Sequence, residues 1–275
     1  MASGCPNDSF RETILASDLF SLDGRIALVT GGSRGIGKMI AKGYLEAGCA
    51  KVYISARKAP ACLETAEELG PRCIALPHDI STLDGIKALT ADYLAHESRL
   101  DILLNNAGAA WGAAFDAFPE SGWDKVMDLN LKSPFFLTQA LHATLAASAS
   151  EARPAKVINI CSIDGIRLNP QETYSYHASK AGLIYLTRRM AARLIQDRIV
   201  MSAIAPGAFA SEMNRVARDE GDRIALGIPS RRIGRDEDMQ GVAIYLASRA
   251  GDYVVGETIA VDGGVALATV GGMPG

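Results

Sequence analysis

Seven short apolar runs, separated by longer stretches with helical periodicity, constrain the fold of this chain more than any other feature. The runs predict strands at 25–30, 51–55, 73–76, 100–104, 157–160, 200–204 and 258–261. They are almost continuously apolar, as strands are when helices cover both faces of a parallel sheet. The sequence therefore predicts an α/β protein with a doubly wound parallel sheet of about seven strands and helices on both faces.

Nothing between these runs resembles a linker between domains. The chain has 275 residues, a length that fits one large α/β domain, and it contains no internal repeat. We expect that single domain over residues 19–267. A loose segment over 1–18 and a flexible tail over 268–275, which carries three glycines, are expected to flank it.

Composition excludes several classes of protein. The formal net charge of −3 gives no reason to expect a nucleic-acid partner, and the apolar runs are too short to span a membrane. The amino-terminal segment lacks the basic start and apolar block of a secretory signal. The five cysteines form no C-x-x-C pair, which indicates reduced thiols and no metal site. We therefore expect a cytoplasmic protein.

A glycine-rich turn joins the first strand to the first long helix and runs Thr30-Gly31-Gly32-Ser33-Arg34-Gly35-Ile36-Gly37. Its glycines let the backbone turn sharply and approach a bound group, and the free N–H groups at a helix start attract anions. The spacing is G-x-x-x-G-x-G, which differs from the general G-x-G-x-x-G fingerprint, and the ending of a P-loop is absent. We expect the turn to hold a diphosphate.

The end of the second strand indicates which nucleotide binds. It reads Ser55-Ala56-Arg57-Lys58 and lacks the carboxylate that would bind the ribose 2′-hydroxyl of NAD. Arg57, together with Arg34 in the turn, instead suits the 2′-phosphate of NADP. The alternative is that Arg57 and Lys58 are only the solvated start of a helix. We predict NADP over NAD.

Tyr176 and Lys180 lie four residues apart in a stretch predicted to be helical as far as Ile195, so they share one helix face. An ammonium beside a phenol lowers the pKa of the phenol, which would make Tyr176 a general acid or base for a carbonyl and alcohol pair. Tyr174 is six residues before Lys180 and is predicted to lie about 120° away or off the helix. The spacing alone is weak evidence, because most tyrosine and lysine pairs four residues apart are exposed on a helix surface and have no catalytic role.

Together these motifs resemble the short-chain dehydrogenase/reductase family, over residues 22–265. Further motifs in the order and spacing of that family are Asn105-Asn106-Ala107-Gly108, Asn130, Ser162, Pro206-Gly207 and Asp262-Gly263-Gly264. The combination is specific, although no single motif is. The resemblance implies a Rossmann-type fold and an enzyme that transfers hydride between a nicotinamide and its substrate.

The resemblance implies a catalytic set of Asn130, Ser162, Tyr176 and Lys180. Ser162 would hydrogen-bond the substrate carbonyl oxygen, and Tyr176 would give that oxygen a proton as hydride arrives. Lys180 would lower the tyrosine pKa and hold the nicotinamide ribose. Asn130 would hold a water that links Lys180 to solvent. Without the resemblance, the favoured interpretation is that Ser162 is only a strand-end cap and Asn130 only a polar residue inside a helix.

The resemblance also implies a set of residues that line NADP, with Asp79 against the adenine ring. That set is Gly31, Ser33, Arg34, Gly35, Ile36, Gly37, Arg57, Asp79, Ile80, Asn106, Ala107, Gly108, Tyr176, Lys180, Pro206, Gly207, Phe209 and Ser211. The alternatives are that Asp79 caps a helix and that Asn106 is a turn residue. The chain departs from the family at Phe209 and Ser211, where a branched aliphatic residue and threonine are common.

Within the family, the stretch 107–115 resembles NADPH-dependent 3-oxoacyl reductases of the rhamnolipid-biosynthesis type. The implied substrate is a small-molecule carbonyl or alcohol, and the implied reaction is reduction of a 3-oxoacyl or similar ketone. A sugar-acid, steroid or other secondary-alcohol dehydrogenase remains an alternative, as does an NADP-binding sensor without catalysis. The resemblance also implies a homo-oligomer, a dimer or homotetramer, joined through predicted helices at 123–147 and 176–195.

Overall fold

A seven-stranded parallel sheet organises the protein, in a computed structural model that describes residues 15–210 and 219–268. The strand order is β3-β2-β1-β4-β5-β6-β7, and every neighbouring pair is parallel. The strands are β1 Ile26–Thr30, β2 Lys51–Ser55, β3 Cys73–Ala75, β4 Ile102–Asn105, β5 Ala155–Ile160, β6 Ile199–Pro206 and β7 Thr258–Val261. The predicted doubly wound Rossmann-type sheet is confirmed.

Helices connect successive strands, and α1 is a single short turn before β1. The helices are α1 Ala16–Phe20, α2 Gly35–Glu46, α3 Ala59–Leu69, α4 Leu83–His96, α5 Glu120–Met127, α6 Ser133–Ala140, α7 His142–Ser148, α8 Tyr174–Leu194, α9 Gly221–Ala225 and α10 Asp236–Ala247. Helix α1 begins inside the segment that the sequence predicted to be loose. Residues 1–14 and 269–275, which make up the rest of that segment and most of the predicted tail, lie outside the described residues.

Helices cover both faces of the sheet, because successive strand residues alternate between two apolar clusters. Ala27 and Val29 of β1 pack with α2, α3 and α10 on one face. Leu28, between them in sequence, packs with α4, α6, α7 and α8 on the other face. This two-sided burial explains why the strands read as continuous apolar runs.

Strand β5 begins two residues earlier than predicted, at Ala155, and its second residue is a charged one that interrupts the apolar run. Lys156 is fully buried, and its backbone N–H donates to the carbonyl of Asp101 at 2.8 Å. Its ammonium lies 2.7 Å from the carboxylate of Asp252, which compensates the charge. The sequence pattern missed this residue because the partner that permits its burial is 96 residues away along the chain, as the numbers 156 and 252 show.

Candidate active site

The carboxyl ends of parallel strands meet at one edge of a sheet, and the predicted site residues follow those ends. Gly31 follows β1, Asn106 follows β4, Ser162 follows β5 and Gly207 follows β6. These four strands lie side by side in the sheet, in the order β1-β4-β5-β6. The fold therefore gathers at a single edge residues that are far apart in the sequence.

The glycine-rich turn has a backbone that only glycine tolerates at several positions. Gly31 and Gly35 have φ of +65° and +51°. At Gly37 a Cβ would lie 2.3 Å from the carbonyl oxygen of Gly31 and 2.5 Å from Nδ2 of Asn106. Helix α2 begins at Gly35, so its first N–H groups have no partner within the helix. The turn thus fits the diphosphate of a dinucleotide.

Asn106 and Thr30 fasten the turn to the neighbouring strand. Nδ2 of Asn106 donates to the carbonyls of Thr30 and Gly31 at 2.9 and 3.2 Å. The backbone N–H groups of Asn106 and Ala107 both donate to Oγ1 of Thr30 at 3.0 Å. Sequence reasoning placed Asn106 and Ala107 beside the cofactor but missed Thr30 as a positioning residue. The only available signal was a hydroxyl at the last position of an apolar strand.

The remaining predicted cofactor residues are distributed around this edge. Arg34 and Arg57 are exposed, and neither forms an ion pair with a carboxylate anywhere in 15–210 or 219–268. The carbonyl of Ser33 accepts from Oγ1 of Thr65 at 2.8 Å, which joins the turn to α3. Ile36 is half-buried against the core of the α2 face. The end of β2 carries no carboxylate, and among the described residues neither guanidinium has a carboxylate partner.

Asp79, after β3, does not cap α4. Its Oδ1 accepts from the N–H of Ser81 at 3.1 Å, whereas the cap of α4 is Thr82, which accepts from Gly85. The alternative reading of Asp79 as a helix cap is therefore wrong. The side chain of Ile80 is buried in the cluster on the α4 face, so only its backbone is placed to face a ligand.

The residues after β6 pack closely against neighbouring segments. Gly207 packs closely on Asp262, since a Cβ there would lie 2.6 Å from Cβ of Asp262. Phe209 is buried, and its ring covers Gly234, where a Cβ would lie 2.3 Å from Cζ. The ring of Phe209 therefore contributes to the core. Ser211 lies outside the described residues.

Helix α8 carries Tyr176 and Lys180 on one face. It begins at Tyr174, so of the two alternatives for Tyr174 the one that places it off the helix is wrong. Tyr174 is two residues before Tyr176 and points to the opposite side, about 200° around the helix. Its Oη donates to Glu172 at 2.9 Å, and its ring packs edge-on against Phe115. The structure thus separates the two tyrosines.

Ser162, Tyr176 and Lys180 come together at the end of β5. The Ser162 hydroxyl hydrogen-bonds the Tyr176 phenol, and Nζ of Lys180 lies 5.7 Å from the centre of the Tyr176 ring. Oγ of Ser162 also accepts from the N–H of Asp164 at 3.1 Å, so it caps a short turn as well. Both readings of Ser162 from the sequence are therefore compatible with its geometry.

Electrostatics at this cluster correct one expectation. Burial raises the pKa of Tyr176 to about 12, and the hydrogen bond from Ser162 only partly opposes that effect. Burial lowers the pKa of Lys180, whose Nζ donates to the carbonyl of Ile160 at 2.8 Å. The sequence analysis expected Lys180 to lower the pKa of Tyr176, but the Tyr176 pKa is raised and Lys180 is not among the groups that shift it. The phenol is protonated at neutral pH, as a general acid must be.

Asn130 lies in a π-helical segment, Asp128–Lys132, between α5 and α6. Such segments frequently occur at functional sites. Its Oδ1 accepts from the N–H of Ala109 at 2.8 Å, and its Nδ2 donates to the carbonyl of Ala109 at 2.9 Å. The sequence predicted one long helix over 123–147, and the structure divides it into α5, this segment, α6 and α7.

Nδ2 of Asn130 also donates to Oγ of Ser179 at 3.1 Å, and Ser179 donates to the carbonyl of Tyr176 at 2.8 Å. Asn130 therefore connects the loop after β4 to the first turn of α8. Sequence reasoning missed Ser179, although it stands directly before Lys180. Gly108 completes this region, since a Cβ there would lie 3.3 Å from Oδ1 of Asn130 and 3.8 Å from Nζ of Lys180.

Within residues 15–210 and 219–268, no three histidine, cysteine or acidic side chains are grouped to hold a metal ion. No helix in the same ranges is long and apolar enough to cross a membrane. The four described cysteines are free and buried. Metal chemistry thus has no candidate ligand cluster in this part of the chain.

Several known proteins are similar to this chain in sequence and in fold. A sequence model of the short-chain dehydrogenases matches residues 25–222. The rhamnolipids biosynthesis 3-oxoacyl-(acyl-carrier-protein) reductase of Pseudomonas aeruginosa is 49% identical over 255 residues, 90% of this chain and 98% of that protein. The 2-dehydro-3-deoxy-D-gluconate 5-dehydrogenase of Escherichia coli is 40% identical over 252 residues, 89% and 96% of the two chains. A solved Pseudomonas aeruginosa RhlG/NADP active-site complex has a TM-score of 0.87 at 47% identity and covers 91% of this chain and 99% of that chain.

Proposed function

The chain belongs to the short-chain dehydrogenase family, and from that premise we propose that it is an NADP-dependent oxidoreductase that reduces a 3-oxoacyl or similar ketone. The observation that carries this proposal is the cluster of Ser162, Tyr176 and Lys180 at the sheet edge that also carries the glycine-rich turn. A relative of known structure, 47% identical, was solved with NADP, and a 49% identical relative is a 3-oxoacyl reductase.

The chemistry is divided between the cofactor and the chain. When bound, the reduced nicotinamide supplies the hydride. Tyr176 holds the proton that the substrate oxygen receives, and its raised pKa of about 12 keeps the phenol protonated until charge develops on that oxygen. Ser162 donates a hydrogen bond toward the same oxygen and stabilises the developing charge. Lys180 is buried beside them and holds the nicotinamide ribose.

Asn130 is proposed to support the return of the proton. Its Oδ1 accepts from Ala109 and retains a second lone pair, which suits a water between Lys180 and solvent. Through Ser179 it also fixes the backbone of Tyr176. Gly31, Gly35, Gly37 and Gly108 are proposed to hold the cofactor through their backbone. A Cβ at Gly31 or Gly37 would collide with Asn106, and Gly35 has a positive φ.

Cofactor choice is proposed to rest on Arg34 and Arg57, whose exposed guanidiniums suit a 2′-phosphate. Ala56→Asp places a carboxylate at the end of β2, where it would accept from a ribose 2′-hydroxyl and repel a 2′-phosphate. We expect the ratio of kcat/KM with NADPH to that with NADH to fall about tenfold or more, roughly 1.4 kcal/mol. Steady-state rates with both cofactors measure this ratio.

The matched control is Ala91→Asp, which adds the same charge to an exposed position of α4. Its ratio should equal that of the unaltered chain. A ratio in Ala56→Asp that does not move would show that the 2′-phosphate is bound elsewhere.

The substrate is proposed to be a ketone with an apolar chain. The loop after Ser162 exposes two large apolar side chains, Ile166 at 40% and Leu168 at 85%. Exposed apolar groups beside a catalytic cluster favour an acyl chain over a polyhydroxylated acid. The second candidate, a sugar-acid dehydrogenase, is supported by the relative that is 40% identical.

A substrate panel tests the function directly. NADPH absorbance should fall with 3-oxoacyl thioesters, and kcat/KM should rise as the acyl chain lengthens. Faster turnover of a 5-keto sugar acid than of any thioester would favour the second candidate. Tight NADPH binding without oxidation by any carbonyl, simple diketones included, would favour a sensor without catalysis.

We also propose a homo-oligomer, a dimer or tetramer, and a cytoplasmic location. An apolar groove of about 380 Å³ runs between α6 and α8, the helices from which the sequence predicted an interface, and Phe135, Leu186 and Met190 line it. Tyr185 on α8 is 73% exposed. Sedimentation equilibrium of the purified chain measures the oligomeric state. The cytoplasmic proposal is supported by the free, buried cysteines.

A further inference from the structure

A second concave site lies at the amino edge of the sheet, opposite the catalytic cluster. It encloses about 320 Å³ and is lined by Asp18, Ser21, Asp23, Arg25, Ala152, Arg153 and Arg249. Arg25 directly precedes β1 and Arg153 closely precedes β5, whereas the glycine-rich turn and Ser162 follow those strands. Five residues of β1 at about 3.3 Å each separate the two edges by roughly 15 Å, so this cavity is distinct from the active site.

Three arginines line the cavity, and backbone carbonyls fix the positions of two of them. Arg25 is only 5% exposed, and its Nη1 donates to the carbonyl of Pro154 at 2.9 Å. Nη2 of Arg153 donates to the carbonyl of Asp23 at 2.9 Å. Arg249 begins a short 3-10 turn that packs against α1. The guanidiniums of Arg25 and Arg153 are therefore held in place without the use of a carboxylate.

Arginines outnumber carboxylates on the lining of this cavity. Within residues 15–210 and 219–268, none of the three arginines forms an ion pair with a carboxylate within 4 Å. Only two carboxylates, Asp18 and Asp23, line the cavity, which leaves a formal excess of one positive charge. The Asp23 carboxylate lies toward Gly48, where a Cβ would come within 1.9 Å of its Oδ1.

Repulsion between the cations is visible in Arg25. Burial lowers the pKa of this guanidinium and the nearby charge of Arg153 lowers it further, while the carboxylates of Asp101 and Asp252 act in the opposite direction. An anion bound between Arg25 and Arg153 would relieve that repulsion. It would also accept hydrogen bonds from the guanidinium N–H groups that the backbone carbonyls leave free. Guanidinium groups present planar pairs of donors that match the oxygens of phosphate.

We propose that this cavity binds the phosphate group of a small phosphate monoester. The volume exceeds the needs of one phosphate ion, which leaves space for the organic part of an ester. Ser21 lies on the same wall and offers a hydroxyl to the ligand, although it already accepts from the N–H of Asp23. The site is independent of the nucleotide site and of the reaction proposed above.

Isothermal titration calorimetry on the chain saturated with NADPH tests this proposal, because bound cofactor fills the phosphate sites at the catalytic edge. The probes are glycerol 2-phosphate and inorganic phosphate. We expect one saturable site for glycerol 2-phosphate, weakened about tenfold or more in Arg153→Gln and in Arg249→Gln. Tighter binding of the ester than of inorganic phosphate supports a monoester ligand, and equal binding assigns the site to free phosphate.

Arg188→Gln is the matched control, since Arg188 is exposed on α8, away from the cavity. The affinity of this variant for glycerol 2-phosphate should equal that of the unaltered chain. Circular dichroism establishes that each variant is folded. Arg249 is exposed and holds no backbone carbonyl in the described part of the chain, so its variant remains decisive if Arg153→Gln fails to fold. No saturable binding, or binding unchanged in the folded arginine variants, would overturn the proposal.

Discussion

Tyr176→Phe is expected to lower kcat by about 10²–10⁴-fold, the range that general acid catalysis contributes. The substitution removes the phenol oxygen that Ser162 hydrogen-bonds but keeps the ring beside Lys180. The packing of α8 and the cofactor cleft should therefore survive, and NADPH should bind with unchanged affinity. Steady-state NADPH oxidation and a fluorescence titration with NADPH measure the two quantities separately.

Tyr174→Phe is the control for this variant. Its hydroxyl donates to Glu172 and its ring lies against Phe115, on the other side of α8. Removal of that hydroxyl should leave kcat within about twofold of the unaltered chain, because it touches no reacting group. Activity that persists in Tyr176→Phe, or that disappears equally in both variants, would remove the basis for Tyr176 as the proton donor.

Gly37→Ala is expected to abolish measurable NADPH binding and to lower the melting temperature. The added methyl carbon would lie 2.3 Å from a backbone oxygen of Gly31 and 2.5 Å from Asn106, and the backbone cannot move aside cheaply. Overpacking of this kind costs typically ~1–3 kcal/mol. For a domain of this size that corresponds to a loss of roughly 2–4 °C per kcal/mol. Thermal unfolding and an NADPH titration measure both effects.

Gly241→Ala provides the matched control on α10. No atom lies within 4 Å of the position that its Cβ would take, so the methyl group meets no obstacle. Alanine in a helix interior should stabilise the protein by about 0.5–1 kcal/mol relative to glycine. NADPH affinity that survives in Gly37→Ala would mean that the turn does not hold the cofactor.

The sheet was predictable because its signal is local. The bounds of β2 and β7 agree with the prediction, since each is a short apolar run with clear breaks on both sides. The start of β5 was not predictable, because Lys156 is tolerated there only through Asp252. The break in the helix at Asp128–Lys132 was also missed, because helical periodicity does not distinguish a π segment from an α-helix.

The candidate site was predictable as a set of positions, but not as a set of contacts. Spacing in the sequence placed Tyr176 and Lys180 on one face, as the helix does. The direction of the shift in the Tyr176 pKa depends on how deeply the phenol is buried. The position of the Phe209 ring depends on the space left by Gly234. Neither follows from residue types in order, because each arises from segments that meet only in the folded chain.

The hydrogen bonds of Asn130 have a consequence for how the site unfolds. One side chain joins the loop at Ala109 to Ser179, and Ser179 in turn to Tyr176. Neither segment can open without breaking bonds that the other needs, because a buried amide left unpaired is costly. The catalytic helix and the loop after β4 are thus one cooperative unit. Thermal fluctuations should open them together, and amide hydrogen exchange should report a single opening event for both.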